Sequence, residues 1–130
     1  MAFPFPPQLR ARLAAIRAEQ AQHIAHLLPP DAVYVFGSLW VSYYLTSDGR
    51  VLIADDDQPA TETADPLQSH ATLIRAAECF QLPEFRTFLP LRPPTGIVCP
   101  ACQGTAYLPI ANARIFCHEC AARGWVDGPA

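Results

Sequence analysis

The chain has 130 residues, of which 51% are hydrophobic and 16% charged, with a formal net charge of −3 and a pI near 5.7. This length holds one ordinary domain, or a small domain with an appendage, and excludes a large multidomain enzyme; the hydrophobic share excludes wholesale disorder. The acidic balance argues against a polyanion as main partner, because counterion release needs a concentrated basic surface.

The N-terminal Met1-Ala-Phe-Pro-Phe-Pro-Pro7 lacks the basic and uninterrupted apolar regions of a signal peptide, and no run reaches the 18 or so apolar residues of a membrane span. From Gln8 to Leu28, Leu9, Leu13, Ile16, Ile24 and Leu27 share one helical stripe, which predicts an amphipathic helix. Pro6 and Pro7 suit its first turn, and Pro29-Pro30 cannot continue it. Ala32 to Leu45 is rich in β-branched and aromatic residues, and Thr46-Ser-Asp-Gly49 separates it from Arg50-Val-Leu-Ile-Ala54. That pattern predicts a hairpin turning at Asp48-Gly49, with Gly37-Ser38 dividing the first arm into a three-stranded meander. Asp55 to Asp65 has loop composition. Leu67, Ala71, Ile74, Ala77 and Phe80 predict a second helix over 66–81, opened by Pro66 and closed before Pro83. Pro83 to Leu89 adds a short helical turn, and Pro90-Leu-Arg-Pro-Pro-Thr-Gly96 reads as a stiff extended linker. By segment, residues 1–30 carry +2, residues 31–95 carry −5 and residues 96–130 carry no net charge.

Cys99-Pro-Ala-Cys102 and Cys117-His-Glu-Cys120 stand 14 residues apart, the spacing of a four-cysteine zinc site. Each Cys-x-x-Cys presents two sulfurs from one knuckle, and Thr105–Ile110 with Arg114–Phe116, turning around Ala111-Asn-Ala113, supplies a hairpin that joins the knuckles. Gly104 gives the first knuckle a residue suited to positive φ; Ala121 and Ala122 offer none, so the second knuckle is expected to be less regular, with Gly124 following. A segment of about 35 residues cannot bury enough apolar surface to fold alone, whereas structural zinc contributes roughly 10–16 kcal/mol. Four protein ligands leave no open position for a reacting water.

The runs Cys-Pro-Ala-Cys-Gln-Gly-Thr and Cys-His-Glu-Cys-Ala-Ala-Arg-Gly-Trp resemble a half-copy of the cysteine-rich zinc segment of J-domain co-chaperones, and the ribbon tails of many bacterial proteins. The resemblance spans about 30 residues at the C-terminal end. It departs from the co-chaperone pattern in having two repeats rather than four, Ala106 in place of the last glycine of the first, and no His-Pro-Asp tripeptide. What it implies is zinc ligation by Cys99, Cys102, Cys117 and Cys120 and a module that contacts other proteins. Co-chaperone activity is not implied.

The remaining candidates have bland readings. Cys79 is expected as a buried, inert thiol, and Glu19, His23 and His26, although on one helix face, as solvated side chains rather than a second metal site. Asp55-Asp56-Asp57 is expected as a solvated loop, and Trp40, Tyr43 and Tyr44 as core. Phe116 and Trp125 are expected to cover the metal or dock the ribbon, and His118 to compete for metal only if a neighbouring cysteine were lost. The absence of lysine removes Schiff-base and Walker-type chemistry.

The fold expected is α+β: residues 1–89 with two helices packed on a small antiparallel sheet, a Pro-rich linker at 90–96, and a zinc ribbon at 97–130. The function expected is a non-enzymatic cytoplasmic accessory or adaptor protein that holds one structural Zn2+ and binds another protein. A nucleic-acid-binding ribbon using Arg10, Arg12, Arg17, Arg114 and Arg123 is the alternative, followed by a metal-dependent hydrolase using Asp55, Asp57 and His70.

Overall fold

In the computed structural model, α1 spans Pro7–Ile24 and tightens into a 3₁₀ turn at Ala25–Leu27 before the proline pair. The structure describes residues 2–37, 40–55, 57–110 and 113–129, with 113 and 114 as backbone only. Proline begins α1 without loss, because the first helical N–H groups have no intrahelical acceptor. Leu9 and Leu13 are buried, whereas Leu27, placed on the same stripe by the sequence pattern, is 54% exposed because the 3₁₀ turn rotates it out of phase.

The predicted meander is present as β1 (Ala32–Gly37), β2 (Val41–Thr46) and β3 (Val51–Asp55), each antiparallel to the next. A two-residue β4 (Thr61–Glu62) pairs with Leu52 and Ile53 of β3, within the stretch expected to be loop. The sheet order is β1-β2-β3-β4, and α1 packs on the edge strand β1. A bulge between Tyr34 and Phe36 interrupts the β1 register. There the Gln20 side chain acts as a neighbouring strand would: its amide donates to the Tyr34 carbonyl and accepts from the Tyr34 N–H, both at 2.8 Å. Gln20→Ala should lower stability by about 1–3 kcal/mol, since it strips two partners from part-buried backbone groups. A denaturant midpoint unchanged from wild type would show that water replaces the amide fully.

Two compact units emerge, residues 1–64 and 65–130. They differ from the expected partition at 89 and 96, for α2 (Pro66–Cys79) and the 3₁₀ turn Pro83–Phe88 fall with the cysteine-bearing half. Asp65 caps α2, its carboxylate accepting from the Leu67 N–H at 3.0 Å. Cys79 closes α2 and is exposed, which corrects its expected burial: the last turn carries Glu78 and Cys79 outward while Ala76 and Ala77 point in.

The second unit has two small sheets. β5 (Gly96–Val98) pairs with β8 (Trp125–Asp127), and β6 (Tyr107–Ile110) with β7 (Ala113–Phe116). The turn at 111–112 lies outside the described residues. The Pro-rich stretch is tied into this unit: the Trp125 indole donates to the Pro90 carbonyl at 3.1 Å, Arg92 donates to the Gly96 carbonyl, and the Gly128 N–H bonds the Thr95 carbonyl. Helices and antiparallel sheets together make the chain α+β.

Candidate metal centre

β5 runs into the first knuckle and β7 into the second, so each hairpin edge ends on a cysteine pair. The knuckles are cross-tied. Cys99 donates its N–H to the Gly124 carbonyl at 3.0 Å, and Cys117 to the Ala106 carbonyl at 2.9 Å, so the first cysteine of each knuckle hangs on the chain leaving the other. Within the turns, Gln103 N–H bonds the Cys99 carbonyl at 2.7 Å and Ala122 N–H the Cys117 carbonyl at 3.0 Å. Gly104 and Gly124 sit at φ of 81° and 88°, and Ala121 and Ala122 at 51° and 61°. The first knuckle has the same pattern, with Gln103 and Ala106 at 54° and 72°, so the left-handed residues fall at the same offsets after Cys102 and Cys120. The second knuckle, expected to be less regular, repeats the turn of the first and sets Ala122 where the first has Gly104, a conformation that disfavours a Cβ.

Cys99, Cys117 and Cys120 are fully buried and Cys102 nearly so. Their four sulfurs lie within 4.8 Å of one another, with Cys99 to Cys117 at 3.8 Å and Cys102 to Cys120 at 3.7 Å. These spacings are too long for disulfides, whose sulfurs stand about 2.05 Å apart. They match the edge of a tetrahedron with metal–sulfur bonds of about 2.3 Å, which is about 3.8 Å. Leu108 and Val126 pack against the quartet.

Burial pushes the Cys120 thiol up to about 12, against the Gly124 N–H that points at its sulfur from 3.3 Å. Burial also raises Cys117 despite N–H groups of Cys120 and Glu119 that favour its thiolate. At Cys102 burial opposes ionisation too, but the N–H groups of Ala106 and Gly104 and the neighbouring thiols outweigh it and lower the value. A buried quartet of this kind needs a cation among its sulfurs to carry four thiolates. The donor set fits a soft or borderline divalent ion held by four protein ligands.

α2 seals the back of the knuckles. Ala71 and Ile74 form a buried cluster with Ala106 and Ala122, covered by Leu67, Leu89, Tyr107 and Phe116. The Tyr107 hydroxyl bonds the Glu78 carboxylate, and its ring packs on Phe116 at 5.0 Å. His70, 4% exposed, donates from Nδ1 to the Ala121 carbonyl at 2.9 Å, beside the left-handed turn. Its pKa falls below the ordinary 6.5, chiefly through burial and further through the Arg123 charge, with the Ala121 bond opposing. A histidine kept neutral in the folded state contributes its full stability above pH 6.5 and loses it as pH falls toward the depressed folded value. Wild type should therefore lose more melting temperature than His70→Gln between about pH 7 and 5, the cysteines titrating alike in both. Parallel melting curves across that range would remove His70 from the balance.

The other candidates are not gathered. Among the described residues the cysteine quartet is the one group of three or more His, Cys, Asp or Glu side chains close enough to hold a metal ion. Glu19, His23 and His26 are exposed and form no such group; Asp55 and Asp57 are exposed in the first unit and His70 is buried in the second, and Asp56 lies outside the described residues. Of the arginines, Arg17 bonds the Pro29 carbonyl and Arg123 lies 4.0 Å over the Trp125 ring while bonding the Cys120 carbonyl; Arg10 and Arg12 are exposed, and the Arg114 side chain lies outside the description. His118 is exposed. Tyr44 is buried and Tyr43 stacks on Phe36 at 4.3 Å, but Trp40 is 68% exposed, against its expected place in the core. Sequence reasoning missed His70 as the partner of the second knuckle and Gln20 as the cover of β1. A histidine within an otherwise apolar helix stripe was the available signal for the first.

No protein-family model matches the chain, and no curated protein or solved structure is significantly similar to it. The likeness to the co-chaperone segment therefore rests on cysteine spacing alone. No described helix is long and apolar enough to cross a membrane.

Proposed function

We propose that this chain is a non-enzymatic accessory or adaptor protein in which one structural Zn2+, held by Cys99, Cys102, Cys117 and Cys120, fixes a surface that binds another protein. The carrying observation is the closed set of four buried sulfurs at tetrahedral spacing. Zinc accepts four thiolates in that geometry, and with no fifth position at hand its work there is structural. Free thiols in this number suit a reducing compartment such as the cytoplasm. Support for a protein partner comes from apolar side chains left outward on the same unit: Leu91 at 85%, Ile110 at 50%, Val98 at 47% and Ile97 at 41% exposure.

Elemental analysis of protein purified without added metal should return one zinc per chain; iron, or no metal, would overturn the assignment. Crosslinking and co-purification from the native host should recover a protein partner that is lost on Val98→Asp with zinc retained. Recovery of nucleic acid, weakening steeply with salt, would favour the alternative through Arg10 and Arg12.

A further inference from the structure

A cleft of about 550 Å³ opens at one end of the sheet, entirely within residues 1–64. That volume lies in the range of small-ligand sites, about 300–1,000 Å³. One wall is the 3₁₀ turn after α1, through Leu27, Leu28 and Pro29; the other is the start of β2 and the end of β3 with the loop that follows. The β2–β3 register explains why its chemistry collects there. Val41 stands opposite Asp55 and Ser42 opposite Ala54, so Trp40, one residue before β2 begins, comes to the same end of the sheet as the carboxylate that closes β3. Deeper in the cleft Tyr44, Leu28 and Ala54 are buried or half-buried and present an apolar lining.

From these features we infer that the cleft binds a cationic group on an apolar stem: a guanidinium or ammonium carried by a peptide arginine or lysine, or by a free alkylamine. Among the described lining residues the formally charged side chains are Asp55 and Asp57, both exposed, and no arginine is among them. An anion is disfavoured by that charge. A hard divalent ion needs several oxygen ligands drawn together, and the aspartates do not make such a group among the described residues. What remains suited to two carboxylates beside an open indole is a large, weakly hydrated cation, which gains from the ring face and the ion pair at once while its stem covers the apolar lining. The chain already uses the first of these contacts internally, where the Arg123 guanidinium lies over Trp125. His26 and Tyr44 are the other titratable side chains among the described lining residues.

The test is an NMR titration of the full zinc-loaded chain, read at the two tryptophan indole N–H signals and assigned with Trp40→Phe. Agmatine and a blocked Gly-Arg-Gly peptide are the probes, and the citrulline peptide is the neutral isostere. The Trp40 signal should move saturably with the cationic probes, while that of Trp125, held on Pro90, stays fixed. Asp55→Asn/Asp57→Asn should weaken binding about tenfold or more, as should raising salt, and Trp40→Ala about tenfold, read by backbone amide shifts. All these residues are exposed, and unchanged backbone amide shifts across β1, Leu45 and Val51, away from the cleft in the same unit, certify the fold of each variant. A peptide binding at least tenfold tighter than agmatine identifies a protein source of the cation; equal or tighter agmatine identifies a free amine. No Trp40 shift at about 10 mM probe, equal binding of the citrulline peptide, or indifference to loss of both carboxylates overturns the proposal.

Discussion

Stripping bound metal with a chelator, or replacing Cys117 with serine, should unfold residues 65–130 as one body and carry α2 with it. The four strands of this unit make two separate two-stranded pairs, none longer than four residues, and such ribbons are marginal in water. What closes them is the sulfur quartet, and a metal held by four thiolates, as zinc is in small peptides, supplies roughly 10–16 kcal/mol, comparable to or above the total stability of an ordinary domain. α2 has 14 residues, too few to persist as an isolated helix. Its Ala71 and Ile74 find Ala106 and Ala122, and His70 finds the Ala121 carbonyl, where the closed knuckles place them. Hydrogen exchange with and without chelator should show protection falling together over residues 67–79 and 96–127, with residues 2–64 as the internal comparison. Protection retained in α2 while the strands exchange freely would mean that the helix folds without the metal unit, as the partition expected from sequence supposed.

The contrast between the expected and observed partitions shows which information is local. α1, the three strands of the meander, α2 and both knuckles follow from periodicity, proline placement and cysteine spacing, each of which acts within a few residues. The stripe of Leu67, Ala71 and Ile74 states that one face of α2 is buried, but an apolar face serves a sheet and a ribbon equally well. The surface that receives it is made by Ala106 and Ala122, single methyl groups in irregular turns without any periodic signal. The His70–Ala121 bond joins residues 51 apart, and nothing near either one announces the other. β4 and the β5–β8 pair are two and three residues long, below the length at which alternation is legible. Trp40 misleads for a related reason: aromatic content marks a strand, but Trp40 precedes β2, and one residue of offset decides whether a side chain faces the core or the cleft. The gathering of the four cysteines was legible, since a thiolate site that could hold a metal depends on residue type and spacing and tolerates almost any sequence between.

Gly124→Ala should weaken metal affinity by about 10–100-fold, while Gly104→Ala should change it only a few-fold, although both glycines sit at nearly the same positive φ. The shared part of the effect is the conformational strain of a Cβ in the left-handed region, about 1–2 kcal/mol at each position. The difference lies in what that Cβ meets. At Gly104 it approaches the Val98 methyl at 3.3 Å, the movable end of a half-exposed side chain. At Gly124 it comes to 2.9 Å from the Gly104 carbonyl oxygen and 3.4 Å from its carbon, so one backbone must retreat from the other. That retreat acts on the sulfurs, because Gly124 holds both knuckles: its carbonyl accepts the Cys99 N–H, and its own N–H points at the Cys120 sulfur. Competition against a chromophoric chelator at fixed pH measures both variants on one scale. Equal losses would assign the whole effect to φ strain, and a larger loss at Gly104 would show that the close approach of the two turns is not what shapes the tetrahedron.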